Sequence, residues 1–166
     1  MKKGLNILHF CLYLIEKKIH FLFNKINPAL LLYKIPAVKR RMKTKYGIEN
    51  TKEYLDDFWT NQKNGFSLHL IGGWLVGLIF IILISLTIIA LKVSGFEFNL
   101  PKYVFIAFGI ISYVICYFAT FKNDTYLKYF KEFNTWTITK KRINVIISIG
   151  FILLVIALFF SSLLYF

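Results

Sequence analysis

Acidic side chains are scarce in this chain. Its 166 residues hold eight Asp and Glu against 21 Lys and Arg, and charged residues reach only 17% of the total. A soluble domain carries about 25%. There are two cysteines, Cys11 and Cys116, about a hundred residues apart, with no CxxC and no metal-ligand spacing. That excludes a disulfide framework and a zinc module. With three prolines and nine glycines, the chain is neither collagenous nor a low-complexity linker. Catalytic signatures are missing too: there is no HExxH, nucleophile elbow or glycine-rich phosphate loop, and no paired Asp within the long apolar runs.

Apolar sequence fills the place of the missing charge. Hydrophobic residues make up 57% and aromatics 19%, and the mean hydropathy is +0.60. Three runs contain no charge at all: Leu70–Leu91, Tyr103–Phe121 and Ile143–Phe166, of 22, 19 and 24 residues. As helices they reach roughly 28–36 Å, enough for a hydrocarbon core of about 30 Å. The fold expected is an all-α integral membrane protein with three transmembrane helices. It divides into an interfacial and cytoplasmic region, residues 1–65, and a transmembrane domain, residues 66–166, with a basic loop at 122–142.

Cationic residues orient the spans. Residues 1–65 hold thirteen Lys and Arg and residues 122–142 hold six. Residues 92–102 hold two, beside Glu97. Lys and Arg collect on the cytoplasmic side. Three spans put both rich segments on that side of a cytoplasmic (inner) membrane. The N-terminus is then inside and the C-terminus at the outer face, where Tyr165 and Phe166 suit the interface, with no extracytoplasmic domain.

Before the spans, residues 5–15 are apolar but are cut off by Glu16, Lys17 and Lys18, too soon to cross a bilayer. No small-residue cleavage site follows. Asn6, His9, Tyr13, Glu16, His20 and Asn24 recur at steps of three or four, so they share one helical face. This predicts an amphipathic helix in the cytoplasmic interface, its polar stripe turned to water or headgroups. The alternatives are an apolar face packed on the spans or on another subunit, and a fourth span. Glu16, His20 and His9 are too sparse for a metal site, and no cofactor is expected. Pro28 and Pro36 break the pattern. Asn50 and Glu53 have the spacing of a helix cap and its return partner. The helix they open carries Tyr54, Leu55, Phe58 and Trp59 on one side, Asp56 and Asp57 on the other. After the second span, Asp124 or Thr125 can cap a helix that aligns Tyr126, Phe130 and Phe133.

Two sets of residues are candidates for binding. Lys39, Arg40, Arg41, Lys43 and Lys45, with Lys140, Lys141 and Arg142, suit anionic headgroups or a partner. Basic residues beside a membrane are worth about 1 kcal/mol each towards anionic lipid. The same cluster can meet nucleic-acid phosphates, but the adjacent apolar segments favour lipid. Gly73 and Gly77 form a GxxxG, and Gly109, Ser112, Cys116 and Thr120 a small, polar stripe. Both suit helix packing or an oligomer interface.

No charged residue sits in a span core, which argues against an intramembrane enzyme. Paired repeats and broken helices, the marks of a transporter, are absent. The leading expectation is a non-enzymatic membrane anchor or accessory protein. Its inward face, with Phe58, Trp59 and Trp136 beside lysines, would dock on anionic lipid or a protein partner. Alternatives are a self-associating pore or membrane-perturbing effector of defence or toxin type, and an immunity or regulatory protein of another membrane protein. Three helices are too few to enclose a pathway, so a pore would need several copies.

Overall fold

The computed structural model describes residues 2–95 and 101–164. Glu97, Tyr165 and Phe166, used above to assign sides, lie outside the described residues. The chain is 87% helix, without strands among the described residues. In order come α1 (Lys2–Ile26), α2 (Ala29–Leu32), α3 (Pro36–Tyr46), α4 (Thr51–Thr60), α5 (Phe66–Val93), α6 (Lys102–Cys116), α7 (Thr125–Asn134) and α8 (Ile138–Leu164). Three helical stretches are long and apolar enough to cross a membrane: Phe66–Val93, Lys102–Asn134 and Ile138–Leu164. Two compact units emerge, residues 1–12 with 71–166, and residues 13–70. This grouping differs from a division at residue 65, because the first turns of α1 belong with the long apolar helices.

In the larger unit, α5 buries Ile71, Leu75, Leu78, Ser85 and Ile88, spaced as one helical face. Leu75 and Leu78 share a core with Leu8, Cys116 and Val155. The face of α8 turned inward is narrower and smaller: Ser148, Val155 and Ser162, seven residues apart. Such a seam matches close left-handed helix packing. The remaining faces are apolar yet uncovered. Trp74 is 61% exposed and only 11% of the apolar window of α8 is buried. Lys92 near the end of α5 donates to the Ser162 carbonyl at 2.8 Å, so α5 and α8 run in the same direction. The ammonium thus supplies a donor to a carbonyl in the last described turn of α8.

The helix begun by α6 widens into a π-helical turn at Tyr117–Phe121, then a 3-10 turn at Lys122–Asp124. Asn123 and Asp124 have φ of 54° and 51°. This left-handed conformation suits short polar side chains better than most. Asp124 stands at the cap position of α7 without a side-chain capping bond. The Thr125 hydroxyl instead donates to the Lys122 carbonyl at 2.6 Å. Beyond the break, α7 buries Tyr126, Phe130 and Phe133.

In the smaller unit, α3 starts with Pro36 in its first turn, where the missing N–H costs nothing. It stops at Gly47, whose φ of 66° carries no Cβ penalty. Asn50 caps α4 by accepting the Glu53 N–H at 3.3 Å. The return contact runs from the Asn50 side-chain amide to the Glu53 carboxylate at 3.2 Å, not to the Asn50 backbone. Between α4 and α5, the Asn61 side chain accepts the N–H groups of Lys63 and Asn64. Gly65 closes that turn, and a Cβ there would overlap the Asn61 carbonyl oxygen.

Candidate functional site

The polar stripe of α1 does not face water or headgroups. Asn6, His9 and Tyr13 are buried, while Leu22, Phe23 and Ile26 near the end of the helix are exposed. In the larger unit the Asn6 amide donates to the Ala119 carbonyl at 3.0 Å. Ala119 lies in the π turn, just before the break at left-handed Asn123, and Asn6 caps its carbonyl from a distance. His9 sits among Phe121, Tyr126 and Phe130, with ring centroids 6.0, 5.6 and 5.3 Å away. Among the described residues, neither ring nitrogen of His9 has a hydrogen-bond partner, nor do Asn6 Oδ1 and Thr120 Oγ1. Burial lowers the His9 pKa from 6.5 to about 4, keeping the ring neutral. The next residue, Phe10, packs edge-on against Phe130 at 5.1 Å and Phe133 at 5.5 Å. Burial also raises the Cys11 thiol pKa, partly opposed by a hydrogen bond with Ser148.

In the smaller unit the same stripe binds α4. Asp56 Oδ1 lies 3.0 Å from His20 Nε2 and accepts the Asn24 amide at 2.7 Å. The Trp59 indole N–H donates to Glu16, and its ring stacks on His20 at 5.3 Å and 9°. The Tyr13 hydroxyl donates to the Thr60 carbonyl. One expectation is corrected: Trp59 lies on the α1-facing side of α4 with Asp56, while Tyr54 and Phe58 on the opposite side stay exposed. Trp59 is committed to this network rather than open for docking. Trp136 is likewise engaged, with Phe133 at 4.3 Å and Lys140 over its ring at 4.5 Å. The spacing of Glu16, His20 and Asn24 by four, with Asp56 and Trp59 three apart, was the available signal for this pairing. Among the described residues, no group of three or more His, Cys, Asp or Glu could hold a metal ion.

The basic candidates fall in both units. Lys39, Arg40, Arg41, Lys43 and Lys45 all lie on α3, which has no buried residue. Lys43 pairs with Glu49 at 2.9 Å, and this hydrogen bond and charge lower the Glu49 pKa. Lys140, Lys141 and Arg142 open α8. Lys141 donates to the Asn134 carbonyl at 2.7 Å, and Arg142 is exposed. Beside α3 lies a cavity of about 820 Å³. Lys25, Lys34, Lys39 and Lys52 line it together with Leu30 and Leu31, and Glu49 is its one acid.

No protein-family model, curated protein or solved structure matches this chain.

The small-residue candidates separate into two groups. Ser112, Cys116 and Thr120 are buried. Ser112 donates to the Phe108 carbonyl of its own helix at 2.7 Å. Gly73, Gly77 and Gly109 face open space, with nothing within 4 Å of where a Cβ would stand. The glycine that makes a close approach is Gly72, where a Cβ would lie 3.2 Å from the Phe121 ring.

Proposed function

We propose that this chain is a non-enzymatic, multi-pass protein of a cytoplasmic membrane, an anchor or accessory component. Its basic inward face, residues 1–65 and 122–142, docks on anionic headgroups and on a protein partner. One observation carries the reading. Three charge-poor helices leave apolar side chains such as Trp74, Ile146, Ile147, Leu153 and Leu154 uncovered, while basic segments flank them. Those side chains need an apolar solvent, and the lysines need an aqueous, anionic one. With the N-terminus inside, residues 122–142 share its side and residues 92–102 lie opposite. Reporter fusions test this: fusions at Glu97 and after Phe166 report outside, and one at Asp124 inside. Any reversal overturns the topology. Purification from native membranes with a stoichiometric second protein supports the accessory role.

A second reading, self-association into a pore or membrane-perturbing effector, is favoured by the open face at Gly73, Trp74 and Gly77. Such a face lets a second helix approach closely. A homogeneous particle of identical chains that raises ion leakage supports this reading and removes the need for a partner.

A further inference from the structure

We infer that the cavity beside α3 is a discrete binding site for the phosphate-bearing headgroup of an anionic phospholipid. The inference rests on the membrane reading above and deepens it.

Charge is the first argument. Lys25, Lys34, Lys39 and Lys52 converge on the cavity from α1, from the segment between α2 and α3, and from α3 and α4. None of the four side-chain ammonium groups forms an ion pair or hydrogen bond among the described residues. Glu49, the acid at the rim, is held by Lys43, which is outside the lining. Four like charges around one space repel each other, and an anion seated among them relieves that repulsion. A phosphodiester supplies the charge and several acceptor oxygens, which match ammonium donors.

Apolar character is the second argument, and it selects a lipid over a free anion. Leu30 and Leu31 form part of the wall, as does Ile26. Ile26, Leu31, Leu22, Phe23 and Leu32 are all exposed large hydrophobics in the same stretch. A site for inorganic phosphate has no use for them. A headgroup followed by glycerol and acyl carbons covers both kinds of side chain at once. The volume agrees: ligand sites occupy about 300–1,000 Å³.

The test uses the full chain, extracted from carbonate-washed membranes in mild detergent. Native mass spectrometry follows, with phosphatidylglycerol or phosphatidylcholine added. Phosphatidylglycerol should stay bound and phosphatidylcholine should not. Combining Lys25→Gln, Lys34→Gln, Lys39→Gln and Lys52→Gln should weaken retention about five-fold per lysine. The four side chains are exposed, so folding is not at stake. An equal loss of charge elsewhere, Lys2→Gln with Lys18→Gln, Lys128→Gln and Lys131→Gln, should leave retention intact. Equal loss in both variants overturns the site in favour of diffuse attraction. So does equal retention of both lipids. Displacement by millimolar inorganic phosphate makes it a free-anion site, and displacement by an oligonucleotide a nucleic-acid site. Either result overturns the inference. Release of the chain by carbonate overturns the membrane reading instead, and is seen before any lipid is weighed.

Discussion

Acid should weaken the larger unit through a single side chain, His9. Its ring is fully buried against three aromatic rings and finds no acceptor for a second proton. The native pKa is about 4, below the ordinary 6.5, because burial penalises the charged form. Above pH 6.5 the ring is neutral in both states and contributes no pH dependence. Between 6.5 and 4 the unfolded chain takes up a proton that the native chain refuses, so stability falls as pH falls. The slope is about 1.4 kcal/mol per pH unit, which accumulates to about 3 kcal/mol by pH 4. Carboxylates titrate nearby, so the measurement is a difference. Unfolding midpoints of the wild type and of His9→Leu are followed in detergent from about pH 7 to pH 4. The variant should be at least as stable at neutral pH, since it no longer buries two unpartnered nitrogens. It should also lose the extra acid sensitivity. Parallel profiles for the two proteins would refute the reasoning.

Three further outcomes are expected. Asp56→Ala leaves His20 and Asn24 without their shared acceptor and should cost about 1–3 kcal/mol, read as faster limited proteolysis between residues 27 and 35. Gly65→Ala forces the new methyl into the Asn61 carbonyl and should cost roughly 2 kcal/mol or more, with His69→Ala, on the same stretch, as a milder comparison in thermal unfolding. Gly73→Ala combined with Gly77→Ala meets open space and should stabilise α5 by up to about 1 kcal/mol per site. A loss of self-association in that double variant, measured by particle mass, would instead favour the pore reading.

The long elements were legible because length and lack of charge suffice to identify them. Ile138–Leu164 starts five residues ahead of the uncharged run, since Lys140, Lys141 and Arg142 are good helix formers as well as cations. The caps at Asn50 and the aromatic face of α7 followed from local spacing. The orientation of α1 did not. Periodicity says which residues share a face, not which face is covered, and the usual inference assumes water outside. Here the polar side of α1 is covered from Asn6 to Asn24, Leu8 and Phe10 are buried beside it, and apolar side chains stay open only near the end of the helix, at Leu22, Phe23 and Ile26. The partners, Ala119, Asp56 and Trp59, lie far along the chain and carry no local mark. For the same reason the GxxxG drew notice while Gly72, which the Phe121 ring touches, did not.

The bond between Asn6 and Ala119 has a consequence for how the chain is made. Its ends are 113 residues apart. At about 5–20 residues per second, roughly 6–23 s pass between synthesis of the donor and of its acceptor. Phe130 and Phe133, the aromatic partners of Phe10, come later still. Through that interval the first turns of α1 lack the Ala119 carbonyl and the aromatic rings of α7, although Leu75 and Leu78 of α5 are already made. The earliest helix is therefore among the last to be seated, and its docking reports that the second apolar helix and α7 are already in place.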